Sequence, residues 1–325
     1  MPRSQRRSPP RPKLVSERVC IVGCGAIGGL YAARLGQLPD VEVWAYDPAR
    51  DHVEAINRDG LRLTGHTELT ARVRAVTDAT QIPHCALGIV ATKGTVTEAA
   101  IVATAPIFGD GAVCSVQNGI GNEEVIAEHA PRVMRGVTLQ SGRVEAPGVI
   151  HLDAPGPTWI GPFEPRPAHW EEVSRLAELL NRGGMETRAL RDARGAQWTK
   201  LLFNASTNPL CALTGLTHGQ LCEYPPTRRL VGELIREGRS VADALGVVLD
   251  GDPDILVDEA ARANFHHRPS MLQDALARRH TEIDTLNGGI VASARHPRVA
   301  TPLHAAITDL INGLEHGWSR TPSSG

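Results

Sequence analysis

Three glycines stand in GCGAIG, at Gly23, Gly25 and Gly28, directly after the apolar run RVCIV and ahead of an apolar stretch with helical spacing. Between a strand and a helix, that spacing can do chemistry. Gly23 permits a tight turn, Gly25 lets backbone approach a phosphate, and Gly28 lets the helix lie close on the strand. Cys24, Ala26 and Ile27 complete the loop. The N–H groups and partial positive charge of the helix N-terminus favour a pyrophosphate there. The plain alternative is a glycine-rich turn without a ligand. Asp47 argues against it: ending the run VEVWAYD roughly 20 residues further on, it stands where an acid accepts hydrogen bonds from the ribose of a bound dinucleotide. That acid favours NADH, because a 2′-phosphate beside a carboxylate is repelled. Arg50 keeps NADPH open, since an arginine there could clamp the phosphate, and Asp47-Pro48 is also an ordinary turn dipeptide.

Further polar residues fall where such a ligand would meet a substrate. Lys93 follows the run CALGIVAT and Asn118 follows GAVCSVQ, and ligands of open parallel sheets sit beyond the carboxyl ends of strands. A solvated loop lysine and an Asn-Gly turn are the plain readings of these two. In WTKLLFNASTNPL, Lys200, Asn204 and Asn208 recur every four residues and share one stripe of a helix. Asparagine is a poor helix former, and solvent-facing stripes more often use Glu and Lys, so the stripe is expected to face a cleft. Ser270 with Gln273 has capping-box spacing, and a serine at a helix N-terminus is also a carboxylate site. Glu282, expected on that same helix, borders apolar positions and needs a partner, either Arg279 or a cleft lysine.

The elements that must position these residues come in two sets. Over residues 17–190, strand-like runs alternate with helical stretches, which predicts βαβ units around a parallel sheet, a Rossmann-type dinucleotide-binding domain. LRLTGHTELTARVRAV is expected as a hairpin, and GVTLQSGRVEAPGVIHL with PTWIG as antiparallel strands at the sheet's edge. Residues 191–325 carry 3.6-residue periodicity and predict an all-helical substrate domain, with PSMLQDALARRHTEIDTLNGGIVASAR as one of its helices. The fold class is α/β with a helical C-terminal domain. Residues 1–16, basic and Pro-rich, are expected to be a disordered tail.

Composition excludes several classes of function. With 325 residues and a formal net charge of −2, the chain has room for two cores and no basic field to attract nucleic acid or an anionic membrane. The longest apolar stretches are strand-sized, so no membrane span is expected. Six scattered cysteines without a C-x-x-C pair point to buried thiols in a cytoplasmic protein, with no metal.

Together, the glycine loop, Lys93, QNG, W-x-K-x-x-x-N-x-x-x-N-P-L and S-M-L-Q-D…R-x-T-E-I-D-x-x-N-G resemble the ketopantoate reductases, over roughly residues 17–317. Those enzymes reduce 2-dehydropantoate to (R)-pantoate on the route to pantothenate and coenzyme A. The resemblance implies Lys200 as the general acid that protonates the ketone oxygen, with Glu282 holding the lysine and the substrate hydroxyl. It implies Asn204, Asn208 and Ser270 as substrate ligands, with Lys93 and Asn118 at the junction of cofactor and substrate. Family members mostly prefer NADPH and carry a basic residue after the second strand, a pattern from which Asp47 departs. The expected cofactor is therefore NADPH or NADH, and the expected partner is a small 2-oxo acid; a homodimer stays open. The competing readings are an oxidoreductase of another 2-oxo or hydroxy acid and a dinucleotide-binding sensor without turnover. An intact Lys200 and Glu282 speak against the sensor.

Overall fold

The apolar strand runs of the sequence stack side by side. In the computed structural model, which describes residues 17–318, the expected tail at 1–16 lies outside the described residues. The strand β1 (Glu17–Val22) leads through the glycine loop into α1 (Ala26–Leu35), and β2 (Val41–Tyr46) into α2 (Arg50–Asp59). After β3 (Leu61–Gly65), β4 (Leu69–Ala71) and β5 (Arg74–Val76) come β6 (Leu87–Val90), α3 (Thr97–Phe108), β7 (Ala112–Ser115) and α4 (Asn122–His129). Then follow β8 (Arg132–Thr138), β9 (Ser141–Ala146), β10 (Val149–Ala154), β11 (Thr158–Pro162), α5 (Trp170–Arg182) and β12 (Thr187–Ala189).

The main sheet has the order β12-β11-β8-β7-β6-β1-β2-β5, parallel except where β11 runs against β8. Because the chain moves outward from β1 to β2 and returns on its other side with β6, the order reverses there. A crevice opens at such a switch point, beyond the carboxyl ends of the strands. The connections carrying the glycine loop, Lys93 and Asn118 all leave those ends.

Two expectations for the strands are corrected. The β3–β4 hairpin forms, but β5 leaves it and pairs in parallel with β2. β9 and β10 are not at the edge of the main sheet: with β3 and β4 they form a second sheet, β4-β3-β10-β9. The physical reason lies in α1. Its sequence AIGGLYAARL is apolar nearly all round, and one sheet can cover only one face of a helix. The second sheet packs on the other face, Ile150 lying so close to Gly29 that a Cβ there would meet its side chain at 2.6 Å.

The helical part comprises α6 (Arg194–Thr214), α7 (His218–Glu223), α8 (Pro225–Ala244), α9 (Pro253–Ala263), α10 (Ser270–Leu276), α11 (Asn287–Ser293) and α12 (Pro302–Trp318). Its core gathers Trp198, Leu202, Leu234, Ile290 and Ile311. α6 and α8 cross closely at Gly238, where a Cβ would meet Leu202 at 2.3 Å. A third correction falls at 270–293, which is not one helix: α10 ends at Leu276, Arg278 takes a left-handed φ of 50°, and helix resumes only at Asn287. Glu282 therefore sits on an irregular segment. Ser270 does not cap α10 either; Pro269 holds the cap position, and the Gln273 side chain donates to the Arg268 carbonyl. Among the described residues, no helix is long and apolar enough to cross a membrane.

Candidate active site

Beyond the carboxyl ends of β1, β6 and β7 lies a cavity of about 650 Å³. Gly23, Gly25, Ala26, Ile27, Asp47, Lys93 and Asn118 line it from the sheet. Lys200, Asn204, Asn208, Ser270 and Glu282 line it from the helical part. Cys24 and Gly28 are buried beneath the loop, and exposed Arg50 lies outside the lining.

Each glycine of the loop answers a different constraint. Gly23 has φ +86°, and a Cβ there would come within 2.9 Å of the Thr92 backbone nitrogen. At Gly28 a Cβ would stand 1.8 Å from the Gly23 carbonyl oxygen, so the helix approaches the strand as only glycine allows. A Cβ on Gly25 would meet nothing within 4 Å. The loop thus presents an open backbone surface and the N-terminus of α1 to the cavity, which suits the pyrophosphate of a dinucleotide. Asp47 lines the cavity and also serves as a turn residue: one carboxylate oxygen accepts the Ala49 N–H at 2.9 Å, and the other accepts the Cys24 N–H of the glycine loop at 2.9 Å.

At the end of the cavity lined by α6, a chain of polar contacts joins the two parts of the molecule. The Lys200 ammonium donates to Asn118 Oδ1 at 2.7 Å, and Asn118 Nδ2 donates to Glu282 Oε2 at 3.2 Å. Glu282 thus meets Lys200 through Asn118. Oε1 accepts the Gly94 N–H at 3.4 Å, and Lys93 Nζ stands 3.9 Å from Oε2. Burial pushes the Lys200 ammonium down to about 8, against the opposing pull of Glu282. Such a lysine is protonated at neutral pH and gives up its proton far more readily than a solvated one. Asn204 and Asn208 lie one and two turns along α6, and both are buried.

Several residues with equally direct parts were not singled out from the sequence. Asp274 accepts from Lys93 Nζ at 2.6 Å and from Arg279, so Arg279 pairs with Asp274 rather than Glu282. Gln197, one turn before Lys200, donates to the Gly119 carbonyl at 3.2 Å and to Glu123 Oε1 at 2.7 Å, tying α6 to the Asn118 loop. Burial pushes the Glu123 carboxyl up to about 7, opposed by Arg135. Gln117 braces the same loop through Thr92 and Thr97. Phe203, His218 and His267 add rings to the wall, with Phe203 edge-on to His218 at 5.3 Å between centroids. Asp274, inside the quoted S-M-L-Q-D, and Gln117, the first residue of QNG, had a signal in the sequence; the others depend on contacts between distant segments.

The comparisons with known proteins extend over nearly the whole chain. The ketopantoate reductase PanE/ApbA model matches residues 19–165, and the PanE/ApbA C-terminal model matches 192–315. A 2-dehydropantoate 2-reductase of Pyrococcus horikoshii is 33% identical over 303 residues, covering 92% of this chain and 97% of the relative. One from Halobacterium salinarum is 31% identical, covering 90% and 97%. Among solved structures, a PanE/ApbA family ketopantoate reductase from Ralstonia eutropha superposes with a TM-score of 0.85 at 26% identity, covering 93% of this chain and all of the other. A D-mandelate dehydrogenase bound to NADH and anilino(oxo)acetate superposes with a TM-score of 0.83 at 25% identity, covering 93% and 99%. With both halves of its sequence matched, and with one cavity joining a dinucleotide-type glycine loop to the lysine of the helical half, the chain belongs to the ketopantoate reductase family of NAD(P)-dependent oxidoreductases.

Proposed function

We propose that this chain is a 2-dehydropantoate 2-reductase, which converts the ketone to (R)-pantoate with a lysine general acid and with NADH preferred over NADPH. The observation that carries the reading is the buried Lys200 ammonium, depressed to about 8 and hydrogen-bonded to Asn118 in the cavity that also holds the glycine loop. The bound dinucleotide supplies the hydride that adds to the carbonyl carbon. Negative charge then develops on the carbonyl oxygen, and Lys200 neutralises it by proton transfer. The lysine afterwards regains a proton from solvent. Glu282 accepts from Asn118 Nδ2, which fixes the amide with Oδ1 toward the lysine and so aims the ammonium. Asn204, Asn208 and Ser270 offer donors to the substrate carboxylate and hydroxyl. The Asp47 carboxylate favours NADH, as a 2′-phosphate would meet like charge.

A second reading, reduction of an aryl 2-oxo acid, is favoured by Phe203, His218 and His267. Burial pushes His218 down to about 4, so its ring is a neutral wall at neutral pH. The structurally similar D-mandelate dehydrogenase holds NADH and an anilino-substituted oxoacetate. Initial rates of NADH and NADPH oxidation with 2-dehydropantoate, phenylglyoxylate and smaller 2-oxo acids test both readings. Highest kcat/KM for 2-dehydropantoate with NADH is expected. Turnover confined to phenylglyoxylate would establish the second reading, and no turnover of any acid would remove both.

A further inference from the structure

We infer that His52 is a positioning residue of the phosphate-binding loop: it orients the Cys24–Gly25 peptide so that the Gly25 N–H faces the dinucleotide pyrophosphate. The inference rests on the glycine loop being the dinucleotide site.

His52 lies in the first turn of α2 and is buried, with 6% of its surface exposed. Both ring nitrogens are engaged by backbone. Gly148 N–H donates to Nδ1 at 3.0 Å, so Nδ1 is the bare nitrogen, and Nε2 therefore carries the hydrogen and donates to the Cys24 carbonyl at 2.9 Å. In a planar trans peptide the C=O and the following N–H point in opposite directions. Holding the Cys24 carbonyl inward on His52 thus turns the Gly25 N–H outward, where Gly25 lines the cavity. As a group ahead of the helix, that N–H has no place in the helical ladder and is available to an anion. Asp47 grips the other side of Cys24 through its N–H. One short segment, the end of β2 with the start of α2, therefore holds the loop residue at both backbone groups.

The anchor behind His52 is itself fixed. Gly148 sits in the β9–β10 turn with φ +74°, a Cβ there would touch Ala55 of α2 at 3.0 Å, and its carbonyl accepts the Arg62 N–H at 2.9 Å. The second sheet, which contributes no residue to the proton-transfer chain, thereby braces the cofactor loop. Because the pyrophosphate is common to both dinucleotides, His52 acts equally on NADH and NADPH, whereas Asp47 discriminates between them.

Fluorescence titration of the full chain with NADH and with NADPH tests this. Asparagine reaches only the Nδ1 position, while glutamine carries an amide donor to the Nε2 position. His52→Asn is expected to weaken both dinucleotides in parallel by about fivefold to tenfold, the usual effect of one lost hydrogen bond. His52→Gln is expected to bind both within about twofold of the parent. Equal, parent-like affinities in both variants would overturn the inference, as would a loss confined to one dinucleotide. Equal losses in both variants would assign His52 a merely structural part and overturn it too. Failure of the unsubstituted chain to bind either dinucleotide would instead remove the dinucleotide reading itself.

Discussion

Lys200 can serve as a proton donor because of what surrounds it, and its protonation sets a signed pH dependence. Its ammonium is depressed from 10.5 to about 8 by burial, so the acid form dominates below that pH. Ketone reduction needs the acid form, and its rate should fall as pH rises through about 8; the reverse oxidation needs the neutral amine and should rise over the same interval. Pre-steady-state hydride transfer measured in both directions checks this, and parallel profiles would contradict it. Lys200→Ala should lower kcat for reduction by at least about a hundredfold, the scale of losing a general acid, while a direct titration shows dinucleotide affinity nearly unchanged. At the other end of the cavity, Asp47→Asn keeps an acceptor for the Cys24 N–H and removes the charge. The ratio of NADPH to NADH affinity should rise by about tenfold, as read by fluorescence titration.

At the level of elements, what was legible in the sequence is what local spacing encodes. The three glycines announce the β1–α1 turn because each serves a constraint within a few residues, and the four-residue recurrence of Lys200, Asn204 and Asn208 survives folding because α6 is one uninterrupted helix. The α10–α11 stretch departs from its apolar spacing for a matching reason. Apolar spacing continues through 277–286, but a left-handed Arg278 turns the chain so that Glu282 meets Asn118. Likewise, alternation marks β9 and β10 as strands without saying which sheet they join. The cap of α9 is local as well, with Asp252 accepting the Asp254 N–H ahead of Pro253. Gln197 belongs to the part no local pattern reports, because Gly119 and Glu123 lie 78 and 74 residues away along the chain. Gln197→Leu removes the tie between α6 and the Asn118 loop, so Lys200 and Asn118 lose their fixed separation. An expected fall in kcat of about tenfold with an unchanged dinucleotide dissociation constant would show the loss in the proton-transfer step; the same substitution should lower stability by about 1–3 kcal/mol by leaving Glu123 without its donor.

Across the whole molecule, the proposed catalytic arrangement works against the stability of the fold that holds it. Both halves converge on the cavity through charged and amide groups: Lys93 to Asp274, Lys200 to Asn118, and Gln197 to Gly119. Among them, Lys200 carries a charge that folding removes from water. Its pKa is lower in the folded chain than in the unfolded one, so the unfolded state holds the proton more tightly. Below about pH 8 the lysine is charged in both states, and the full desolvation cost of that charge is present. Between about 8 and 10.5 the folded chain releases the proton first, and the cost falls away; above 10.5 it is gone. The depression sets a ceiling of about 3 kcal/mol on this cost, and the polar contacts of the cavity reduce what replacement recovers. Lys200→Met, which keeps the length of the side chain and removes its charge, should therefore raise stability at pH 7 by about 1–2 kcal/mol while abolishing turnover. Urea unfolding at pH 7 and again near pH 10.5 measures the two ends of the interval. The advantage of the methionine variant should shrink toward zero at the higher pH, and an advantage independent of pH would locate the gain in packing rather than in the buried charge.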